Sequence, residues 1–158
     1  MLTIAKFDRC DTVNSPRSEK PAFTIWFSGC SRRCNGCYNT SLWDASSGKQ
    51  CTVGEVMTII TSECVKLGIE DVVLLGGEPL EQGRFDLTDL VHDLYTRGYR
   101  VWLYTGLEFD EIPNEIKQYL YTVKCGPYNE TLKCDGIPSS SNQKFYRRIC
   151  QTWKEISF

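Results

Sequence analysis

Short apolar segments alternate with helical patterns along most of this 158-residue chain. Apolar, aromatic and β-branched residues mark four predicted strands, at residues 22–27, 71–75, 99–104 and 121–125. Because a helical pattern separates each strand from the next, we expect parallel strands joined by right-handed crossovers. A complete eightfold barrel needs roughly 200 residues or more. The sequence therefore predicts an α/β fold, as a partial β/α barrel with a mainly parallel, curved sheet, in a single domain over residues 1–158.

Local signals set the ends of the predicted helices. Thr52 stands three residues before Glu55, as in a capping box, and Gly68 is placed to end that helix. A second helix ends at Gly98 and has apolar residues at helical spacing, namely Leu87, Leu90, Val91 and Leu94. Near the C-terminus, three spaced apolar residues favour either a packed helix face or a docking surface: Tyr146, Ile149 and Trp153.

Charge and hydropathy exclude several classes of function. The formal net charge is -2 and no run of Lys or Arg stands out, so we expect no nucleic-acid partner. No apolar stretch is long enough to span a bilayer and the N-terminus does not resemble a signal peptide, which favours a cytoplasmic protein without a membrane partner. The one histidine, His92, is predicted to be exposed on a helix, while Trp26 and Trp102 are predicted to lie in the core.

Nine cysteines are the unusual part of the composition. An odd count without a secretion signal does not suit a disulfide framework. Scattered cysteines are usually small buried hydrophobic residues, and we assign Cys51, Cys64 and Cys150 to that role. Cys125 and Cys134 flank a possible turn and could act together, although packing is the simpler interpretation.

Three other cysteines lie close together directly after the first predicted strand. Cys30, Cys34 and Cys37 occur in the loop CSRRCNGC, with three and then two residues between them. Thiolates at this spacing can converge on one iron–sulfur cluster or one zinc ion. Structural zinc needs four ligands; three ligands on a 4Fe–4S cube would leave one iron open to a substrate. The alternative is a zinc site whose fourth ligand is a more distant cysteine, either Cys10, Cys51 or Cys134.

The CxxxCxxC loop and the later segment Gly76-Gly77-Glu78-Pro79 together resemble the radical S-adenosylmethionine superfamily. The resemblance implies that Cys30, Cys34 and Cys37 bind a 4Fe–4S cluster and that the open iron is chelated by the methionine end of S-adenosylmethionine. It also implies that Gly76, Gly77 and Glu78 support the methionine amino group. Two glycines would let the backbone approach the ligand, and Glu78 offers a charge-assisted acceptor.

Further segments resemble the activating component of anaerobic (class III) ribonucleotide reductase. They are the residues DTVNSP at 11–16, CNGCYN at 34–39, WLYTG at 102–106 and SSNQ at 140–143. Two segments differ from the family pattern: Cys125-Gly126 stands where Asp-Gly is usual, and residues 136–139 replace a Trp-Arg-Gly run. These differences bear on the surface that meets the partner more than on the core chemistry.

The family resemblance implies a mechanism. A cluster reduced by an electron donor such as flavodoxin donates one electron to S-adenosylmethionine, whose carbon–sulfur bond breaks to give methionine and a 5′-deoxyadenosyl radical. That radical takes a hydrogen atom from a backbone glycine of the reductase large subunit. The backbone at Gly36 and the ring of Tyr38 would lie against the adenine, with Thr105 in the same cleft, and no side chain is assigned as an acid, base or nucleophile.

Two other functions remain open at this point. One is a small radical S-adenosylmethionine enzyme that acts on a small molecule, such as 7-carboxy-7-deazaguanine synthase; the SSNQ and WLYTG segments argue against it. The other is a non-catalytic zinc-binding module.

Overall fold

The computed structural model describes residues 1–17 and 19–157. The strands and longer helices occur in the following order: β1 (Leu2–Asp11), β2 (Ala22–Phe27), β3 (Lys49–Cys51), α1 (Val53–Leu67), β4 (Asp71–Gly76), α2 (Arg84–Thr96), β5 (Arg100–Tyr104), α3 (Asn114–Lys117), β6 (Thr122–Cys125), β7 (Lys144–Ile149) and β8 (Thr152–Ile156). All four strands predicted from apolar segments are confirmed as β2, β4, β5 and β6.

The strands form one open, mixed sheet in the order β3-β1-β2-β4-β5-β6-β7-β8. The four central strands, from β2 to β6, are parallel. The strands on either side pair in antiparallel fashion. The α/β class is therefore confirmed, but the prediction of a mainly parallel sheet is correct only for the centre, and the pairings do not establish a partial barrel.

The predicted helix ends are present in the structure. Thr52 Oγ1 accepts a hydrogen bond from the Glu55 backbone N–H at 3.2 Å, and the Glu55 carboxylate accepts one from the Thr52 N–H at 2.7 Å. Gly68 ends α1 with φ of 64°, a left-handed conformation that glycine adopts without a Cβ clash. These contacts satisfy backbone groups that a helix terminus otherwise leaves without partners.

The two faces of the sheet differ in what covers them. The helices pack on one face over a large apolar core that includes Phe23, Ile25, Leu74 and Leu103. The opposite face carries a smaller cluster centred on Trp102, Tyr104 and Phe145. Since side chains alternate along a strand, each central strand contributes to both faces. The second face is the one that opens into a cavity.

Two predictions at the ends of the chain were incomplete or wrong. Strand β1, which pairs with β2 and β3, was not predicted. The prediction of a C-terminal helix face is wrong, because Tyr146 and Ile149 lie in β7 and Trp153 lies in β8 of an antiparallel hairpin.

Among the described residues, no helix is both long enough and apolar enough to cross a membrane.

Candidate functional site

A cavity of about 520 Å³ lies where the central parallel strands end. The carboxyl ends of parallel strands meet at the same edge of a sheet, so the loops after β2, β4 and β5 converge there. Most of the residues singled out from the sequence line this one cavity, namely Cys30, Cys34, Cys37, Tyr38, Gly76, Gly77, Glu78 and Thr105. Gly36 does not line it.

The cysteine loop is fixed by backbone hydrogen bonds to the segment that follows it. The Gly29 and Cys30 N–H groups donate to the carbonyl oxygens of Leu42 and Trp43, at 2.8 and 3.1 Å. Within the loop, Cys37 N–H donates to Cys34 O at 3.2 Å. All three thiols are partly exposed, and burial raises the pKa of Cys30. The backbone therefore holds the three cysteines at the cavity wall before any ligand is considered.

Gly76 and Gly77 bring the end of β4 against the cysteine loop. A Cβ at Gly77 would lie 2.4 Å from the Gly29 carbonyl oxygen, and one at Gly76 would lie 2.6 Å from the Phe27 backbone. Gly76 also has φ of 116°, which disfavours any other residue. The two glycines were predicted to let the backbone approach a ligand. In the structure they let the end of β4 approach the backbone at Phe27 and Gly29.

Glu78 is a buried carboxylate that lines the cavity, with only 1% of its surface exposed. Its Oε1 accepts hydrogen bonds from Thr105 Oγ1 at 2.6 Å and from the Leu80 N–H at 3.1 Å, and its Oε2 accepts one from the Gly106 N–H at 2.9 Å. Burial raises the pKa of Glu78, against the effect of these hydrogen bonds and of the Arg32 charge. Glu78 joins the ends of β4 and β5 and remains without a hydrogen-bonded cation among the described residues.

The connection between β6 and β7, which we call the strap (residues 126–143), covers the outer part of the cysteine loop. Glu130 of the strap accepts a hydrogen bond from Asn35 Nδ2 at 3.1 Å and occupies the space beside Gly36. Tyr38, with 61% of its surface exposed, contacts the ring of Tyr128. The strap thus takes up the surface of Gly36 that the family resemblance assigned to the adenine.

The remaining cysteines lie in different environments. Cys51, Cys64 and Cys125 are buried, as predicted for packing residues, but Cys150 is exposed at the β7–β8 turn, so its assignment to packing was wrong. Among the candidates for a fourth zinc ligand, Cys10 is exposed on β1 and only Cys134 lines the cavity. No group of three His, Cys, Asp or Glu side chains in the described residues is arranged to hold a single metal ion.

Lys124 and Trp26 are among the cavity residues that the sequence did not lead us to expect there. Lys124, on β6, carries its charge into the cavity from a strand that otherwise contributes to the core. Trp26 was predicted to lie in the core but is partly exposed and lines the cavity. Lys124 is the single charged residue of a central strand, and this was the available signal. Lysine is rarely buried in a core, so a lysine at such a position indicates that its side chain faces a cavity or a site.

The residues at the cavity wall fit a thiolate-bound cluster. Three soft ligands face one space, and the sulfur of Cys37 accepts a hydrogen bond from the Asn39 N–H at 3.3 Å, an interaction of the kind that tunes iron–sulfur centres. In a four-iron cube each thiolate binds a different iron, so the three sulfurs need not meet around one ion.

Comparison with known proteins identifies the family. A family model described as a 4Fe-4S single cluster domain matches residues 20–146. The anaerobic ribonucleoside-triphosphate reductase-activating protein of Enterobacteria phage T4 is 32% identical over 92% of this chain and 94% of its own length. The chain belongs to the anaerobic ribonucleoside-triphosphate reductase-activating protein family.

Other relatives extend this assignment. The activating protein of Escherichia coli K12 is 33% identical over 65% of this chain and 67% of its own length, and that of Vibrio cholerae is 28% identical over 87% and 92%. The pyruvate formate-lyase 1-activating enzyme of E. coli K12 is 32% identical over 52% of this chain, although the match covers only 33% of that enzyme. These comparisons confirm that the chain is a radical S-adenosylmethionine type of activating enzyme with a 4Fe–4S domain.

Proposed function

We propose that this protein reductively cleaves S-adenosylmethionine and uses the resulting radical to form a glycyl radical on an anaerobic ribonucleotide reductase. The observation that carries this proposal is the contact between Gly77 and Gly29, which sets the three cysteines and Glu78 around the same cavity. A cluster-binding loop and a buried carboxylate side by side suit a ligand that has both an iron-chelating end and an ammonium group.

Several cavity residues have a role in this proposal. Cys30, Cys34 and Cys37 would hold the cluster. Glu78 attracts the methionine ammonium. The hydrogen bonds from Thr105 and Gly106 keep the Glu78 carboxylate oriented. Gly76 and Gly77 set the distance between the cluster loop and Glu78. Tyr38 contacts the nucleoside end of the ligand.

A bound, reduced cluster would supply one electron to S-adenosylmethionine, and cleavage of its carbon–sulfur bond would yield methionine and a 5′-deoxyadenosyl radical, with an external donor such as flavodoxin as the source of the electron. The protein binds and orients the ligand, and the cavity walls limit the access of water and of other hydrogen donors. The partner's glycine then loses one hydrogen atom to the radical, which leaves 5′-deoxyadenosine and a glycyl radical.

The test is anaerobic reconstitution with iron and sulfide, followed by incubation with dithionite, S-adenosylmethionine and an anaerobic ribonucleotide reductase. We expect the doublet of a glycyl radical on the reductase in electron paramagnetic resonance spectra, together with methionine and 5′-deoxyadenosine. Cys34→Ala should abolish all three signals while the far-ultraviolet circular dichroism spectrum is retained. Cleavage products at the wild-type rate in that variant would contradict the ligand assignment.

A colourless protein that retains stoichiometric zinc after anaerobic purification would instead support a zinc-binding module. Products of S-adenosylmethionine cleavage without any radical on the reductase would point to a small-molecule substrate.

A further inference from the structure

Four side chains form a row across the cavity floor, one from each central parallel strand. In sheet order they are Trp26, Leu75, Tyr104 and Lys124, and all four line the cavity. Trp26 pairs with Leu75 in register, and Tyr104 pairs with Lys124. The cysteine loop follows β2 at one end of this floor row, and Lys124 on β6 is at the other end.

The ammonium of Lys124 forms no direct ion pair in the described part of the chain. No carboxylate lies within 4.0 Å of Nζ there, and the contact it makes is with the Tyr104 ring, 5.1 Å from the ring centroid. Burial lowers the pKa of Lys124 to about 8, with Glu78 acting in the opposite direction, so the side chain is still mainly cationic at neutral pH. An ammonium has three N–H donors, and leaving them without acceptors in a partly buried place is costly.

Lys124 and the cysteine loop lie at opposite ends of the floor row, although Glu78 is near enough for its charge to raise the pKa of Lys124. Cys30, Cys34, Cys37 and Glu78 follow β2 and β4, whereas Lys124 is on β6, two strands beyond β4. The sulfonium of S-adenosylmethionine is a cation and repels an ammonium. A neutral acceptor over the β6 end of the floor row, away from the cysteine loop, suits Lys124.

The length of the floor row matches a short peptide. Three gaps between adjacent strands span about 14 Å, at about 4.8 Å each. An extended chain covers about 3.3–3.6 Å per residue, so about four residues would cross the row. A glycine near the β2 end of the row would then have neighbouring backbone carbonyl groups near Lys124.

We propose that Lys124 binds the protein substrate: its ammonium donates hydrogen bonds to backbone carbonyl groups of the extended, glycine-containing segment that lies across the floor row. This inference rests on the proposed function, because it takes the hydrogen donor to be a backbone glycine of another protein. The aromatic and aliphatic members of the row provide a surface for the segment, and Lys124 fixes its register.

The experiment compares Lys124→Met and Lys124→Gln with the wild type, using the reconstituted protein and an anaerobic ribonucleotide reductase. Both substitutions remove the cation at similar side-chain length, so either one suffices if the other fails to fold. The matched control is Lys6→Met, because Lys6 is exposed and contacts the Trp26 ring at 4.5 Å from outside the cavity lining. Three quantities are measured: the Kd for S-adenosylmethionine, the rate of its cleavage without the reductase, and the KM for the reductase in glycyl-radical formation.

We expect the Lys124 variants to raise the KM for the reductase about tenfold or more, as the loss of a hydrogen bond from a charged group implies. Their Kd for S-adenosylmethionine and their reductase-free cleavage should stay within about twofold of the wild type, and Lys6→Met should match the wild type throughout.

Two results would overturn the inference. A similar rise in the Kd for S-adenosylmethionine would assign Lys124 to the methionine carboxylate, and an unchanged KM would show that it does not bind the substrate. If the wild type itself forms no glycyl radical on the reductase, the proposed function fails, whereas a wild-type radical with unchanged Lys124 variants removes only the role of Lys124.

Discussion

Two buried carboxylates flank β4, one at each end, and their surroundings differ. Asp71 is the first residue of β4, and Glu78 follows its last residue by two positions. Each has 1% of its surface exposed. Asp71 accepts hydrogen bonds from Arg100 Nε at 2.8 Å and from Trp102 Nε1 at 3.0 Å, and Arg17 lies 2.7 Å from its second oxygen. Glu78 accepts hydrogen bonds only from neutral groups among the described residues.

The pKa values of the two groups move in opposite directions. Burial opposes ionisation of Asp71, but the hydrogen bonds from Arg100 and Trp102 and the charges of Arg100 and Arg17 outweigh it and lower the pKa of Asp71. At Glu78 burial prevails and the pKa is raised. The comparison indicates that Asp71, with two arginine partners, stabilises the fold. Only the more distant charges of Arg32 and Lys124 act on Glu78, and we propose that it binds a cationic ligand.

The largest effect is expected from Asp71→Asn. Removing one member of a buried ion pair typically costs about 3–5 kcal/mol, and we expect about 2–3 kcal/mol here because the two arginine side chains remain about one-third exposed and can be solvated. Chemical denaturation measures this loss, and Asp89→Asn on the exposed face of α2 is the control. Affinity for S-adenosylmethionine should not change, and a lowered affinity in Asp71→Asn would remove the distinction between the two ends of β4.

The stabilising effect of Asp71 should depend on pH. Because its folded-state pKa lies below the ordinary value of about 3.9, the effect is complete above that value and is lost as the pH falls through the folded-state pKa. The stability difference between the wild type and Asp71→Asn should therefore be constant from pH 7 down to about 5 and should shrink below pH 3.9. A difference that grows on acidification would contradict the assigned sign.

Glu78→Gln should affect the ligand and spare the fold. Losing a charge-assisted hydrogen bond should weaken S-adenosylmethionine binding about tenfold or more. The loss of stability should be much smaller than that of Asp71→Asn, because removal of a buried charge whose pKa is raised offsets the hydrogen bond that the Gln NH2 group does not accept. Asp71→Asn is the reciprocal control, and a clear loss of stability in Glu78→Gln would show that both carboxylates serve the fold.

The smallest effect is expected from Thr105→Val, which removes the hydroxyl that donates to Glu78 at 2.6 Å. The substitution also removes the acceptor of the Leu107 N–H, which bonds to the Thr105 hydroxyl at 3.1 Å. Because Glu78 keeps two other donors, the combined cost should be about 1 kcal/mol of stability. Thr24→Val is the matched control, because the Thr24 hydroxyl is buried in the same sheet without a hydrogen-bond partner in the described residues. Equal effects of the two substitutions would show that the Thr105 hydroxyl contributes little at Glu78.

Local signals in the sequence account for the centre of the fold. Short-range features predicted these elements. Apolar runs predicted β2, β4, β5 and β6, and the capping box at Thr52 and the glycine at position 68 predicted the ends of α1. The C-terminal hairpin was missed because Tyr146, Ile149 and Trp153 also fit helical spacing. Its turn adopts positive φ at Cys150 and Gln151, without the Asn-Gly or Asp-Gly pair that usually indicates a hairpin.

The site residues that lie in contiguous sequence motifs were predicted. Those that reach the site only through strand register or through contacts between distant segments were missed. The three cysteines and Gly76-Gly77-Glu78 are compact patterns, and the parallel sheet brings them to one cavity. Lys124 and Trp26 enter the cavity through the alternation of side chains on their strands, which depends on register. The contact of Glu130 with Gly36 joins segments about 95 residues apart and depends on the path of the strap.

We propose that three cysteines hold the cluster and leave one iron open to S-adenosylmethionine. The most direct measurement is the ⁵⁷Fe Mössbauer spectrum of the reconstituted protein with and without S-adenosylmethionine, with Cys134→Ala measured in parallel because Cys134 also lines the cavity. We expect the signal of one iron in the cube to change when the ligand is added, in the wild type and in Cys134→Ala alike. A spectrum that S-adenosylmethionine does not alter, or a cluster that is lost in Cys134→Ala, would contradict the claim.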